Sequence, residues 1–452
     1  MLPKINTPVP GPRSRKLAQS LRAHESQNVT FLSDDFPVFW ERGQGVNVWD
    51  TDDNRFLDFT SAFGVTGLGH NHPAIVEAAA RQSQSLLHAM GDVHPSPLKA
   101  DLCEKLSALT FERWNLGPAK SILANSGFEA VEAALKTALN KTNKPGVITF
   151  EGAYHGLGYG TLAAGALPKF RDPFTPQLAT FGTTLPFAAC DADAFLADSL
   201  PPEDPAVTAA LAAVEETLAQ GNTGAILVEP IQGRGGKRIA HPNFLKGLRN
   251  LCDQFDTLLI LDEILTGLNR TGKLFACEHF DLHPDIICLG KSLTSGYPLS
   301  ACVARAEIMD AWPPSTGEAI HTTTFLGNPV GCAMALASLD LHAQLADTTQ
   351  VADTGKALRT RLKNIDSPLI QSVRGLGLML GLELVDENHH PDPQLAGAII
   401  LQALKDGLIL LAGSHEENVL SLVPPFAIGQ SEIDWTGDRL QEYLMSLPGS
   451  IS

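Results

Sequence analysis

A lysine and an aspartate each follow a short apolar run, in positions where they could do chemistry. The run Leu258–Leu261 ends in Asp262, and the run Ile286–Leu289 is followed by Gly290 and Lys291. A carboxylate at a strand end supplies a fixed negative charge, although such a residue serves equally well as a helix cap. A lysine beside glycine after a buried strand is partly desolvated, which lowers the pKa of its amine and frees it as a nucleophile.

A helix start suited to an anion follows another apolar run. Ser121–Ala124 leads to Ser126 and Gly127, and Glu129 stands three residues after Ser126. Serine with glutamate at this spacing is a capping box, and a glycine beside the cap lets backbone N–H groups approach an anion, which the helix dipole also favours. By itself, the segment favours an ordinary, well-capped helix.

Two more apolar runs end near polar side chains. Val147–Phe150 leads to Tyr154 and His155, and Ala225–Val228 ends in Glu229. The tyrosine ring could stack on a flat ligand, although a single buried tyrosine more often only satisfies a backbone partner. An amine nucleophile, a strand-end carboxylate, an anion-binding helix start and a stacking ring together fit pyridoxal phosphate bound through a lysine. The carboxylate would keep the ring nitrogen protonated, so that the ring draws electrons from a substrate carbon.

The apolar runs that carry these residues alternate with amphipathic stretches such as Glu129–Leu139 and Pro242–Phe255. Alternation of strands and helices predicts an α/β fold with a mostly parallel central sheet and helices on both faces. Ligands bind such sheets at the carboxyl ends of the strands, which is where the candidate residues stand. The strand candidates are Ser121–Ala124, Val147–Phe150, Ala225–Val228, Leu258–Leu261 and Ile286–Leu289.

The same patterns divide the chain into three expected parts. Residues 1–75 are expected to be an N-terminal segment that packs on a small domain. Residues 76–330 are expected to form a large α/β domain that binds the cofactor. Residues 331–452 are expected to form the small α+β domain, because a long helical pattern over Cys332–Leu345 precedes a glycine-rich strand pattern over Val373–Val385.

Composition excludes several classes of protein. The chain has 452 residues, of which 44% are hydrophobic and 18% charged, as in globular proteins with a large core. Its 50 acidic and 33 basic residues give a net charge of −17. Such a chain repels nucleic-acid backbones and anionic lipid, so we expect neither nucleic acid nor a membrane as its partner. No apolar run reaches the roughly 18 residues that span a bilayer.

Cysteine usage indicates a reducing compartment. The seven cysteines stand singly, without a C-x-x-C pair, and several lie within apolar runs. They are typical of small buried hydrophobic residues, and no secretory signal is recognisable, so we expect a cytoplasmic protein. Cys277, His279 and His283 lack a fourth ligand, and we expect no metal site.

The ordered motifs resemble the class III (ω-type) aminotransferases of pyridoxal-phosphate fold type I, from about Val46 to about Ile428. This resemblance implies the type I transferase fold and a pyridoxal phosphate cofactor. The markers are Leu57-Asp58-Phe59, Gly69-His70-Asn71-His72-Pro73, Asn125-Ser126-Gly127, Tyr154-His155-Gly156, Val228-Glu229-Pro230, Leu261-Asp262-Glu263, Arg270-Thr271-Gly272, Gly290-Lys291, Thr323-Thr324-Phe325 and Gly327-Asn328-Pro329.

The resemblance also implies roles for individual residues. Lys291 would bind the cofactor covalently and move the proton during transfer, and Asp262 would pair with the ring nitrogen. Thr324, with Thr323, would reach the phosphate of the neighbouring subunit, which implies a homodimer with shared active sites. The remaining expected cofactor contacts are Ser126 and Gly127 on the phosphate, Tyr154 stacked on the ring, and Phe128, His155 and Glu229.

Two positions depart from the family pattern. Many members that act on amino acids have a glutamate where this chain has Arg234, and an arginine where it has Ser421. That arginine grips the substrate carboxylate, yet no arginine occurs here between Gly407 and Pro425. Because a carboxylate needs a forked donor or its equivalent, we hypothesise that Arg234 receives it instead. The alternative is that Arg234 only forms a structural ion pair. We also expect Phe63 to contact the substrate.

The sequence therefore predicts an aminotransferase that moves an amino group from a primary amine or (ω-)amino acid to a 2-oxo acid such as pyruvate or 2-oxoglutarate. Related reactions on the same cofactor stay open, namely racemisation of an amino acid or amide, decarboxylation and aminomutation. A binding protein that has kept the fold without the chemistry is the remaining alternative, although Lys291 and Asp262 are both present.

Overall fold

The computed structural model describes residues 1–30, 33 and 36–446. Its strands are β1 (Trp40–Gln44), β2 (Asn47–Asp50), β3 (Arg55–Asp58), β4 (Ala119–Ala124), β5 (Gly146–Phe150), β6 (Gly182–Leu185), β7 (Ala189–Cys190), β8 (Thr223–Val228), β9 (Ile231–Gln232), β10 (Arg238–Ala240), β11 (Leu258–Asp262), β12 (Ile286–Leu289), β13 (Ser300–Arg305), β14 (Ile370–Leu376), β15 (Met379–Leu384), β16 (Leu408–Ile409), β17 (Leu411–Gly413) and β18 (Val419–Leu422).

The helices follow the strands along most of the chain. They are α1 (Pro12–His24), α2 (Ser61–Gly64), α3 (Pro73–Ser85), α4 (Pro97–Ser107), α5 (Gly127–Thr142), α6 (Tyr159–Ala163), α7 (Pro168–Arg171), α8 (Ala192–Leu196), α9 (Pro205–Leu218), α10 (Pro242–Phe255), α11 (Ala306–Met309), α12 (Pro329–Ala346), α13 (Gln350–Lys363), α14 (Pro393–Lys405) and α15 (Gln430–Ser446). None of these described helices combines the length and the apolar character that crossing a membrane requires.

The larger of two compact units, Pro73–Thr349, contains a seven-stranded sheet in the order β4-β13-β12-β11-β8-β5-β6. The strands β12, β11, β8, β5 and β6 pair in parallel, and β13 pairs antiparallel with both β12 and β4. Because β13 lies reversed between them, β4 and β12 point the same way. The carboxyl ends of β4, β12, β11, β8 and β5 therefore meet at one edge.

Helices cover both faces of this sheet. Val147 on one face of β5 belongs to a core cluster with Ala130 and Ala134 of α5. Phe150, three residues on, points to the other face and packs against Phe244 of α10 with ring centroids 5.1 Å apart. The predicted mostly parallel sheet with helices on both faces is thus present, and all five predicted strands form.

The sequence analysis did not predict β13, the antiparallel strand next to the edge strand β4. Its residues Ser300–Arg305 are small and apolar for most of their length, and the strand is almost wholly buried. Small side chains give a weak strand signal, because strand preference mainly reflects the packing of β-branched and aromatic side chains.

The smaller unit joins the two ends of the chain, Met1–His72 and Gln350–Ser452, as far as these residues are described. It contains two four-stranded sheets, in the orders β1-β2-β3-β16 and β14-β15-β18-β17. The first of them is completed across the chain, because β16 pairs in parallel with β3. The unit thus has the α+β character expected of the small domain.

The division falls later in the chain than the expected boundary at residue 330. Helix α12 belongs to the larger unit, where it packs against α3 and α4. A change of sequence pattern near Gly331 marks the start of a helix there, and packing decides which unit that helix joins.

Of the seven cysteines, five are buried and all are free thiols. Cys103 and Cys190 are only partly buried, so the expectation of burial is wrong for these two.

Candidate active site

An aspartate–histidine pair lies at the sheet edge where the strand ends meet. Asp262 ends β11, and its Oδ2 lies 2.8 Å from Nδ1 of His155, which follows β5. Asp262 Oδ1 accepts a hydrogen bond from the N–H of Ile264 at 3.0 Å. His155 is only 2% exposed, and its Nε2 has no hydrogen-bond partner among the described residues. An ionised carboxylate can accept about four hydrogen bonds, so Asp262 has unused capacity.

Lys291 follows β12 at the same edge, in the left-handed backbone region with φ 44°. A lysine there carries strain, which is typical of residues that the surrounding structure holds for a function. Burial lowers the pKa of Lys291 below its ordinary value, while the carboxylates of Asp262 and Glu229 oppose that shift. Within the described part of the chain no hydrogen-bond partner is found for its amine. The side chain thus offers a partly desolvated, uncommitted nucleophile.

Glu229 at the end of β8 holds the neighbouring loops in place. Its Oε1 accepts from the N–H of Tyr154 at 3.1 Å, and its Oε2 accepts from the N–H of Gly233 at 2.8 Å. Burial raises the pKa of Glu229 to about 7, with His155 opposing this shift. Glu229 therefore anchors backbone on both sides of the site.

The start of α5 supplies free backbone donors. Glu129 Oε2 accepts from the N–H groups of Asn125 and Ser126, at 2.9 and 2.8 Å, and also from the Ser126 hydroxyl at 3.0 Å. The capping box predicted for Ser126 and Glu129 is present at the start of α5. No described group accepts from the N–H of Gly127 or Phe128, so both remain available to an anion.

The loop that contains Tyr154 packs against Phe128 in the first turn of α5. The Tyr154 ring is partly buried, and its centroid lies 5.6 Å from that of Phe170 at an angle of 66°. Gly156 has φ 109°, and a Cβ there would lie 2.3 Å from Phe128 Cβ. Only glycine permits this approach, which brings the Tyr154–Gly156 loop onto the first turn of α5.

Ile264 is a site residue that the sequence reading missed. Besides donating its N–H to Asp262, it lies against the start of α5, where a Cβ on Gly127 would be 3.0 Å from Ile264 Cδ1. Ile264 thus contacts both Asp262, through its backbone, and the start of α5, through its side chain. The available signal was an aspartate two residues before it, a spacing typical of a side chain that bonds the backbone ahead.

The structure also shows where three other expected site residues lie. Thr323 Oγ1 accepts from Asn125 Nδ2 at 3.0 Å within the same chain, next to the N-cap of α5. Thr324 is exposed. Phe63 belongs to the smaller unit and is 63% exposed, in a run of four residues with positive φ, of which only Gly64 is a glycine. Its contact with the substrate stays a prediction.

The residues present fit pyridoxal phosphate. The cofactor needs an amine for its aldehyde, an anion site for its phosphate and an acceptor for its ring nitrogen. The free amine of Lys291, the two free N–H groups of α5 and the unused acceptor capacity of Asp262 match those three needs.

Comparisons with known proteins agree. Residues 30–444 match the model of the family "Aminotransferase class-III". An acetylornithine aminotransferase of Methanopyrus kandleri is 35% identical, covering 88% of this chain and 92% of that protein. A 4-aminobutyrate aminotransferase of Mycobacterium leprae is 35% identical, with 94% of each chain covered. The PLP-bound structure of an amine transaminase from an uncultivated Pseudomonas species aligns with a TM-score of 0.83 and 26% identity, covering 93% of this chain and 99% of that one.

The fold and the site define a pyridoxal-phosphate-dependent transferase of fold type I. The chain belongs to the class-III aminotransferase family. The predictions of the family, the fold class, the cofactor and an aminotransferase acting on an amine donor and a 2-oxo acid are confirmed.

Proposed function

We propose that the sheet edge of the larger unit carries the amino transfer, with Lys291 and Asp262 as its catalytic residues. The observation that supports this most directly is the amine of Lys291, which has no partner among the described residues and stands after the strand next to that of Asp262. Lys291 would bind the cofactor in the resting enzyme. After release by the donor, it would carry the proton from the substrate carbon to the cofactor.

The surrounding residues prepare these steps. Bound pyridoxal phosphate supplies an aldehyde that condenses with amines and a ring that withdraws electrons. Asp262 would hold a proton on the ring nitrogen, and His155 would keep the carboxylate oriented. The N–H groups of Gly127 and Phe128 would hold the phosphate, and Tyr154 would lie on the ring. Burial lowers the pKa of Lys291, so its amine is more readily neutral and able to accept a proton.

A second copy of this chain would complete the site. Segments 86–93 and 320–327 of the larger unit lie together, since His88 and Phe325 have ring centroids 5.4 Å apart. Five large apolar side chains of these segments are more than half exposed, namely Leu87, Met90, Val93, Ile320 and Phe325. Thr324 lies in the same surface, so burying it in a dimer would bring the partner subunit's Thr324 towards the phosphate. A doubled mass by sedimentation equilibrium is expected; a monomer with full activity would contradict the shared site.

The class of donor and the cellular compartment are inferred from the relatives and from the cysteines. The two curated relatives are named for acetylornithine and 4-aminobutyrate, which supports a donor with a terminal primary amine. The seven free cysteines support a reducing compartment, which we take to be the cytoplasm.

A half-reaction with Lys291 variants tests the assignment. The purified holoenzyme is mixed, in the absence of acceptor, with amines, ω-amino acids and α-amino acids, and the cofactor's visible absorbance is followed. Conversion to the pyridoxamine form by at least one donor is expected. Exchange of the donor's α-proton without conversion would instead support racemisation.

The covalent role of Lys291 has its own readout. After borohydride reduction, the wild-type protein should gain the mass of the reduced cofactor on the peptide that contains Lys291. Lys291→Ala should lose both this adduct and the half-reaction. Lys120→Ala, at an exposed lysine of β4, is the matched control and should keep both. An adduct retained by Lys291→Ala would refute the assignment.

A further inference from the structure

Arg234 stands at the tip of a short, braced hairpin. Strands β9 and β10 pair antiparallel, with Arg238 opposite Gln232, and the turn between them carries Arg234. Both sides of Gly233 are held, because its N–H donates to Glu229 at 2.8 Å and its carbonyl accepts from Lys237 Nζ at 2.9 Å. The backbone that carries the arginine is therefore ordered before any ligand arrives.

The guanidinium of Arg234 faces two aromatic rings. Its central carbon lies 5.4 Å from the centroid of Tyr154 and 5.3 Å from that of Phe170. An aromatic ring attracts the cation but offers no carboxylate-like acceptor, so these contacts position the guanidinium without pairing its N–H donors as an anion would.

No acidic partner is found for Arg234 among the described residues. Other arginines of the larger unit are paired in this way: Arg249 contacts Asp285 at 2.8 Å, and Arg113 contacts Glu278 at 3.2 Å. Arg234 is itself exposed. A structural ion pair therefore does not account for it, and its donors remain available to an external carboxylate.

The charge of Arg234 reaches the catalytic lysine. Its guanidinium contributes to lowering the pKa of Lys291 and that of the buried Lys237. Such an effect requires the arginine to be near both amines.

We propose that Arg234 binds the carboxylate of the 2-oxo acid acceptor and so makes this site selective for carboxylate-bearing carbonyl compounds. This inference rests on the proposed function of Lys291. A forked, two-bond contact between guanidinium and carboxylate would fix the direction of the carbonyl group. Lysine at this position would keep the charge but lose the fork.

The test compares acceptors that differ only in the carboxylate. Enzyme in the pyridoxamine form is reacted with pyruvate and with acetaldehyde, or with 2-oxoglutarate and succinic semialdehyde if pyruvate is not accepted. Arg234→Gln should raise KM for the 2-oxo acid about 10- to 100-fold, with a change below about 3-fold for the aldehyde. Arg234→Lys should give a KM for the 2-oxo acid between those of the wild type and Arg234→Gln. Arg81→Gln, at an exposed helical arginine, is the control and should behave as wild type.

A binding measurement gives a readout without turnover. Oxamate, an unreactive isostere of pyruvate, is titrated into the holoenzyme, and Kd is measured by calorimetry. Arg234→Gln should weaken oxamate by about the same factor as it raises KM for the 2-oxo acid. Two results would overturn the proposal. One is an equal rise of KM for the 2-oxo acid and for the aldehyde in Arg234→Gln, and the other is loss of the borohydride adduct in that variant. Either would show that Arg234 supports the Tyr154 ring or the cofactor and not the acceptor's carboxylate.

Failure of the two proposals is distinguishable. If wild type shows no donor-dependent change of the cofactor, the proposed function of Lys291 fails. If wild type reacts and Arg234→Gln keeps its KM for the 2-oxo acid and its Kd for oxamate, only the role of Arg234 fails.

Discussion

Two aspartate–histidine pairs lie in different units of this chain, and each has a ring nitrogen 2.8 Å from a carboxylate oxygen. In the smaller unit, Asp58 pairs with Nε2 of His70. In the larger unit, Asp262 pairs with Nδ1 of His155. Both carboxylates are buried. The two pairs differ in what else the carboxylate binds.

Asp58 is saturated by its own chain. Its Oδ1 accepts from the backbone and the hydroxyl of Thr60, at 2.7 and 2.6 Å, and its Oδ2 accepts from the N–H of Ala62 at 3.1 Å besides His70. These bonds hold a turn in which Ser61, Ala62 and Phe63 have φ of 47, 48 and 63°. Three consecutive non-glycine residues in this region are costly, and the conformation persists only because surrounding bonds determine it.

Asp262 is left open. Besides His155 it accepts one further hydrogen bond, from Ile264, and the outer nitrogen of His155 has no described partner. A buried polar group without a partner is costly, so it is retained where a ligand or a reaction uses it. The same two residue types thus stabilise a fold when saturated and form a reactive site when left open.

The largest expected effect is a loss of activity on substitution of the open pair's aspartate, Asp262. Asp262→Asn removes the charge that would hold the proton on the ring nitrogen, so kcat should fall about 1,000-fold, since loss of one partner of a buried charge pair costs several kcal/mol. Stopped-flow half-reactions measure this. Asp253→Asn, at an exposed aspartate, is the control. A loss below 10-fold would show that Asp262 is not the ring-nitrogen partner.

The saturated pair should respond in stability instead. In Asp58→Asn one oxygen becomes an NH₂ group that faces existing donors, so the free energy of unfolding should fall by about 3 kcal/mol. Urea titration of the holoenzyme gives this value, and Asp53→Asn, at an exposed turn residue, should leave it nearly unchanged. If Asp58→Asn leaves the unfolding midpoint in place, the contrast between the pairs collapses.

His155 should matter through Asp262. Because it would orient the carboxylate without touching the substrate, His155→Gln should lower kcat about 10-fold, which corresponds to one hydrogen bond to a charged group. KM for donor and acceptor should stay within about 2-fold, and the pH profile of the half-reaction should shift, which a purely structural role would not cause. An unchanged profile would leave His155 as a packing residue.

The last expected effect is a pH dependence of stability near the open pair. Burial lowers the pKa of Lys237 from 10.5 to about 7. Between pH 7 and 10.5 the unfolded chain therefore binds more protons at this lysine, and the free energy of unfolding rises with pH, by up to about 1.4 kcal/mol per pH unit. Lys237→Met should remove this slope, as seen in urea titrations at pH 7, 8 and 9. Exposed Lys246→Met should retain it, and equal slopes in all three proteins would refute the shift.

Much of the site was predictable because each of its main residues follows a recognisable strand. Apolar runs ending in Asp262, Glu229 or Gly290 and Lys291 indicate both the strand and the end at which chemistry collects. Ile264 and Arg234 were harder to assign. The part played by Ile264 depends on a side chain of another element, and Arg234 could have formed an ion pair with any acidic residue that folding brought near.

By itself, the sequence determined the α/β class, the family and the residue types at the strand ends, because these depend on local periodicity and on motifs of adjacent residues. Only the tertiary structure decided which carboxylate is saturated and which is open. The bonds of Asp58 depend on the strained turn after it and on His70. The bond between His155 and Asp262 joins residues far apart in the chain. Hydrogen-bond saturation is a property of packed surroundings, and no local pattern encodes it.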